Sequence, residues 1–109
     1  MAYSNELNER INKTTARWKN IASRKMFGGV CHTLNGNMFC GVLDEHLILR
    51  LGVSAAEAAL QQTHVKPFSP TGKPMKGWVL VESPAFRSDD ALNRWLDQAK
   101  QFVTTLPSK

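Results

Sequence analysis

Cys31, His32, Cys40, His46 and His64 are the side chains of this sequence whose chemistry suits a soft metal ion such as zinc. Their spacing argues against one. No C-x2-C or H-x3-H pattern occurs, and adjacent strand residues such as Cys31 and His32 point to opposite faces of a sheet. Nucleophilic catalysis would need Ser, Cys or Thr beside a base that a third group orients, and no G-x-S-x-G is present. Gly28-Gly29 and Gly72-Lys73-Pro74 are not phosphate loops, because neither leads through Gly-Lys-Ser/Thr into a helix. Glu82 and the pair Asp89-Asp90 fall near chain turns or a helix start, where capping and solvation explain them. The residues therefore read as a non-enzymatic protein with no metal and no cofactor.

The elements that would position these side chains centre on Arg24 to Leu51, which reads as three antiparallel strands joined by two short turns. Asn35-Gly36 between two apolar-rich runs tolerates the positive φ angles of a two-residue hairpin, and Asp44-Glu45 makes a second turn. Counting out from the first turn sets His32 opposite Phe39, Cys31 opposite Cys40 and Val30 opposite Gly41. The second turn sets Val42 opposite Leu47, Gly41 opposite Ile48, Cys40 opposite Leu49 and Phe39 opposite Arg50. In this register Cys31 and Cys40 form a cross-strand pair with Cβ atoms about 4.5–5.5 Å apart, and they are expected to be reduced, buried thiols in a reducing compartment. Alternation then gives one face Cys31, Thr33, Met38, Cys40, Val42, Leu47, Leu49 and Leu51, expected to be the core. The other face carries Val30, His32, Phe39, Ile48 and Arg50, with Phe39 as the anchor of an expected interaction surface that supports self-association or partner docking.

Around this sheet the periodicity predicts an amphipathic helix over residues 5–22, with Leu7, Ile11, Trp18 and Ile21 on its apolar stripe. Glu6 with Arg10 and Glu9 with Lys13 are spaced for i,i+4 pairing. Ser54 to Glu57 has the spacing of a capping box ahead of a short alanine-rich helix. Prolines 67, 70 and 74 break the chain around a brief strand at 66–69, and a further strand runs over 76–81 with Trp78 and Leu80 on one side. A last helix over 89–106 places Leu92, Trp95, Leu96, Ala99, Phe102, Val103 and Leu106 on a wide stripe, with Ser88 or Asp89 as its cap.

The 109 residues suit one domain, with 42% hydrophobic and 21% charged residues. No apolar run approaches the roughly 20 residues that span a bilayer, and the N-terminal residues hold no apolar signal region, so the expectation is a cytoplasmic protein with no membrane contact. The net charge of +5 is uneven. One basic zone holds Arg10, Lys13, Arg17, Arg24 and Lys25, and a second holds Lys66, Lys73 and Lys76. Together they form a candidate basic surface, for which weak, sequence-independent nucleic-acid binding is expected.

Arg24-Lys25-Met26-Phe27-Gly28-Gly29, the turn Leu34-Asn35-Gly36-Asn37-Met38-Phe39, Asp44 to Leu51, Lys66-Pro67-Phe68 and Gly72-Lys73-Pro74-Met75 resemble the N-terminal domain of the TfoX/Sxy competence-regulator family. The resemblance spans nearly the whole chain, with residues 1–109 as a single, stand-alone domain. It implies an α+β fold of order α-β3-α-β2-α, an antiparallel sheet packed with helices and similar to secretion-chaperone-like domains. It also implies a bacterial transcription-regulatory role without catalytic residues. The expectation is a domain that works by binding a macromolecule, a regulatory protein first and nucleic acid second, with an uncharacterised small enzyme as the last alternative.

Overall fold

The computed structural model describes residues 3–26 and 28–108. Its elements are α1 (Asn5–Thr14), β1 (Ile21–Met26), β2 (Gly29–Leu34), β3 (Asn37–Leu43), β4 (His46–Arg50), α2 (Val53–Ala59), β5 (Val65–Pro67), β6 (Trp78–Val81), a 3-10 turn (Ser83–Phe86) and α3 (Asp89–Val103). The strands form one antiparallel sheet in the order β1-β2-β3-β4-β6-β5. The α+β class is as expected, but the sheet has one strand more than the sequence suggested.

That additional strand is β1, whose first residues the periodicity places at the end of a helix over 5–22. The first helix stops at Thr14 instead. Thr14 Oγ1 donates to Arg10 O at 3.0 Å and Thr15 Oγ1 to Ile11 O at 2.9 Å, side-chain bonds that compete with further helical turns. Asn20, at φ 61°, then turns the chain, and its side-chain amide donates to Asn35 Oδ1 at 2.9 Å. Asn35 and Gly36 take the positive φ angles of 55° and 81° that the hairpin requires. Ser4 and Ser88 cap α1 and α3 through bonds of 3.1 Å to the N–H groups of Leu7 and Ala91.

The expected Ser54 capping box does not form. Gly52 is the N-cap of α2, at φ 86° and without a side-chain cap. A Cβ there would lie 2.7 Å from the Phe102 ring, so close packing of α3 on this turn requires glycine.

The three helices share one side of the sheet. Leu7 and Ile11 of α1, Ala56 and Ala59 of α2, and Leu92, Leu96, Ala99 and Val103 of α3 join the strand residues Cys40, Val42, Leu47, Leu49, Val79 and Val81 in a single core. Arg10 links the first helix to the last, donating to the carbonyls of Phe86 at 2.9 Å and Arg87 at 3.2 Å and lying 3.3 Å from Asp89 Oδ1. It makes those contacts where the sequence had suggested a pair with Glu6.

The β2–β3 register departs from the count. Leu34 faces Asn37 and Thr33 faces Met38 as expected, but beyond them His32 faces Cys40, Cys31 faces Gly41 and Val30 faces Val42. Phe39 is the additional residue of a β-bulge. Phe39 and Cys40 are both fully buried, which strict alternation forbids for consecutive residues. The bulge thus resolves a conflict in the sequence, because a regular strand would have left either Phe39 or Cys40 with Val42 outside the core. The β3–β4 register is as counted from the second turn, with Cys40 opposite Leu49 and Val42 opposite Leu47.

Candidate functional site

The bulge redistributes the residues expected on the interaction surface. His32 and Phe39 lie on the helix-covered side, each at 0% exposure. The Phe39 ring packs 5.5 Å from Trp18 and 6.5 Å from His32, centroid to centroid, so Phe39 is a core residue and not an exposed anchor. Val30 is buried too. Ile48 and Arg50 remain on the outer side, where cross-strand pairing sets Ile48 between Gly41 and Leu80, and Arg50 opposite Trp78. The Arg50 guanidinium carbon lies 5.5 Å from the Trp78 ring centre and 5.7 Å from that of Phe102, a stacked position that holds the side chain in place.

Cys31 and Cys40 are not cross-strand partners. The register shift turns Cys40 into the core and Cys31 to the outer face, so a disulfide between them does not fit this sheet, and both are free thiols. Burial pushes both thiols upward, Cys40 furthest, with the neighbouring Cys31 as its second cause. Nothing lowers either thiol as a reactive thiolate requires. His32 donates from Nε2 to Asn8 Oδ1 at 2.8 Å, since a carboxamide oxygen can only accept. Its Nδ1 is buried without a partner, and burial lowers its pKa to about 4. No group of three or more potential metal ligands occurs among the described residues.

With all three helices on the other side, the segment between β5 and β6 is what covers the outer face among the described residues. Phe68, Pro70, Met75 and Trp78 from that segment and its strand form one wall of a groove of about 530 Å³. Cys31, Met38, Gly41, Leu43 and Ile48 form its floor, and the lining is overwhelmingly apolar. Gly41 sets the depth of the floor, as a Cβ there would come within 3.0 Å of both Met38 Cε and Val30 O. Phe68 and Trp78 support the wall with ring centres 6.2 Å apart. The volume falls in the roughly 300–1,000 Å³ range of ligand-binding clefts.

Basic side chains flank this face without converging on it. The row Arg24, Cys31, Gly41, Ile48, Leu80 and Lys66 crosses all six strands through successive pairings. Arg24 therefore stands at one edge of the outer face and Lys66 at the other, about 24 Å apart across five strand spacings. Lys73 and Lys76 are exposed on the groove-wall segment, and Lys13, Arg17 and Lys25 are exposed near α1 and β1. Arg10 is committed to its contacts with Phe86, Arg87 and Asp89. Of the two basic zones, Arg24 and Lys66 thus lie at opposite edges of the sheet.

Sequence reasoning missed the groove because its wall comes from a proline-broken segment whose position no local pattern fixes. The available signal was Trp78 sharing one side of its strand with Leu80, away from the core pair Val79 and Val81, close to the apolar Phe68 and Met75.

No helix among the described residues is long and apolar enough to cross a membrane. Neither the curated proteins nor the solved structures contain a match to this chain. The family model for the TfoX N-terminal domain matches residues 13–103, a span from the last turn of α1 to the end of α3 that includes the whole sheet and the groove. Phe27 of the Met-Phe-Gly-Gly motif falls within that match and outside the described residues. The chain belongs to the TfoX N-terminal domain family.

Proposed function

We propose that this chain is a non-catalytic regulatory domain that acts by docking a protein partner on the outer face of its sheet. The observation that carries this reading is the apolar groove between the sheet and the segment from Phe68 to Met75. An apolar cleft of this size suits a partner segment that inserts a few apolar side chains and carries carboxylates beside them, complementary to the exposed Arg24, Lys73 and Lys76. Family membership supports a competence-related regulatory role at the level of the family. Nucleic acid suits this face less well, because a phosphate backbone gains nothing from an apolar floor.

Met75 is 40% exposed on the groove wall, so Met75→Glu places a carboxylate there at little cost to the fold. Crosslinking in the native cell, followed by mass spectrometry, should identify a partner that the wild type captures through groove residues and that Met75→Glu loses. A partner whose capture survives this substitution, with crosslinks mapping elsewhere, overturns the assignment of the groove.

A further inference from the structure

The two edges of the sheet are not equivalent. One is β5, three residues long and ending in Pro67, which has no N–H to offer an added strand. The other is β1, six residues in regular register with β2, with neither proline nor bulge. Among the described residues β1 pairs with β2 alone, and Ala22, Ser23, Arg24 and Lys25 are exposed.

The hydrogen bonds still open on β1 follow from its register. Asn35 N–H donates to Asn20 O at 3.1 Å, and Asn20 lies opposite Asn35 when the β1–β2 register is continued by one pair. Mutually bonded pairs in an antiparallel ladder recur at every second residue, so Ala22, Arg24 and Met26 are the β1 residues whose backbones bond to β2. Ile21, Ser23 and Lys25 therefore direct their N–H and C=O groups away from the sheet. They present three donors and three acceptors at strand spacing.

The sequence around this edge carries charge of one sign. Between Glu9 and Asp44 it contains no carboxylate, while Lys13, Arg17, Lys19, Arg24 and Lys25 all fall there and are exposed. Basic side chains on an edge strand discourage pairing with a second copy of the same chain, since β1–β1 contact would bring the Arg24 and Lys25 of both copies onto one ladder. The same charges attract an acidic strand. A phosphate backbone is the poorer match, because it only accepts hydrogen bonds and would meet the three outward carbonyl oxygens as well as the N–H groups.

We infer that β1 is a strand-accepting edge that takes an extended acidic segment of a partner protein as a seventh strand of the sheet. This site is separate from the groove, so Met75→Glu leaves it intact and the two readings can fail independently.

The test uses a nonapeptide alternating threonine with glutamate, its glutamine counterpart, and a mixed-sequence DNA duplex, each titrated into the ¹⁵N-labelled full chain. The glutamate peptide should bind about tenfold or more tightly than the glutamine peptide at low salt. Amide exchange should slow at Ile21, Ser23 and Lys25, with little change at Ala22 and Arg24. Ser23→Pro removes the central outward donor and no bond to β2, so it should abolish slowing at Ile21 and Lys25 and weaken the glutamate peptide about tenfold. If that variant does not fold, the wild-type exchange pattern decides alone. Equal affinity for the two peptides, or no slowing at the outward amides, overturns the inference. So does a duplex that shifts Arg24 and Lys25 while the glutamate peptide does not bind.

Discussion

His32 should make the stability of this domain fall in mild acid, by an amount that the structure sets. The imidazole is fully buried, its Nε2–H is held by Asn8 Oδ1, and its Nδ1 has no partner. Protonation would place a charge in the core with no carboxylate bonded to it, and burial accordingly lowers the folded-state pKa from 6.5 to about 4. The unfolded chain takes up this proton near pH 6.5 and the folded chain only near pH 4. Between those values the unfolded state holds more protons, so folding stability declines as pH falls through that window and this group adds no further loss below it. At about 1.4 kcal/mol per pH unit the full effect is about 3 kcal/mol, a large share of the roughly 5–15 kcal/mol that holds a domain together. Urea unfolding of wild type and His32→Leu at pH 7, 6, 5 and 4 isolates it, because both proteins carry the same carboxylates. The stability difference should shift by about 3 kcal/mol in favour of His32→Leu between pH 7 and pH 4. Parallel pH slopes for the two proteins, or an NMR titration of His32 near pH 6.5, would refute the buried, neutral imidazole.

Phe39→Ala should destabilise the monomer by about 3–5 kcal/mol, since the ring is fully buried against Trp18 and His32; a thermal melt close to wild type, with association lost in sedimentation, would return Phe39 to the surface. Thiol titration of the native protein should label half-buried Cys31 and spare Cys40 until the chain is unfolded, and simultaneous labelling of both would contradict the bulged register.

Local chemistry in the sequence determined much of this fold. Asn35-Gly36 is a hairpin turn because its positive φ angles suit those residues wherever they occur. The β3–β4 register follows from the second turn by counting. The wide apolar stripe from Leu92 to Val103 defines α3, and Ser88 caps it. The residues from Arg24 to Met75 that resemble the TfoX N-terminal domain lie within the matched span, because such motifs are local too.

Tertiary structure decided what depends on distant residues. Ile21–Met26 has no strong alternation of its own and becomes a strand because Gly29–Leu34 offers it a partner. The β-bulge at Phe39 arises because Trp18 and the core need Phe39 and Cys40 on one side, a demand that no hairpin rule contains. One added residue reverses the facing of one strand against the next. It moved His32 and Phe39 from the expected interaction surface into the core and brought Cys31 out onto the groove floor. The groove exists because a proline-broken segment far along the chain lies across that face, a placement governed by long-range packing rather than by any neighbouring residue.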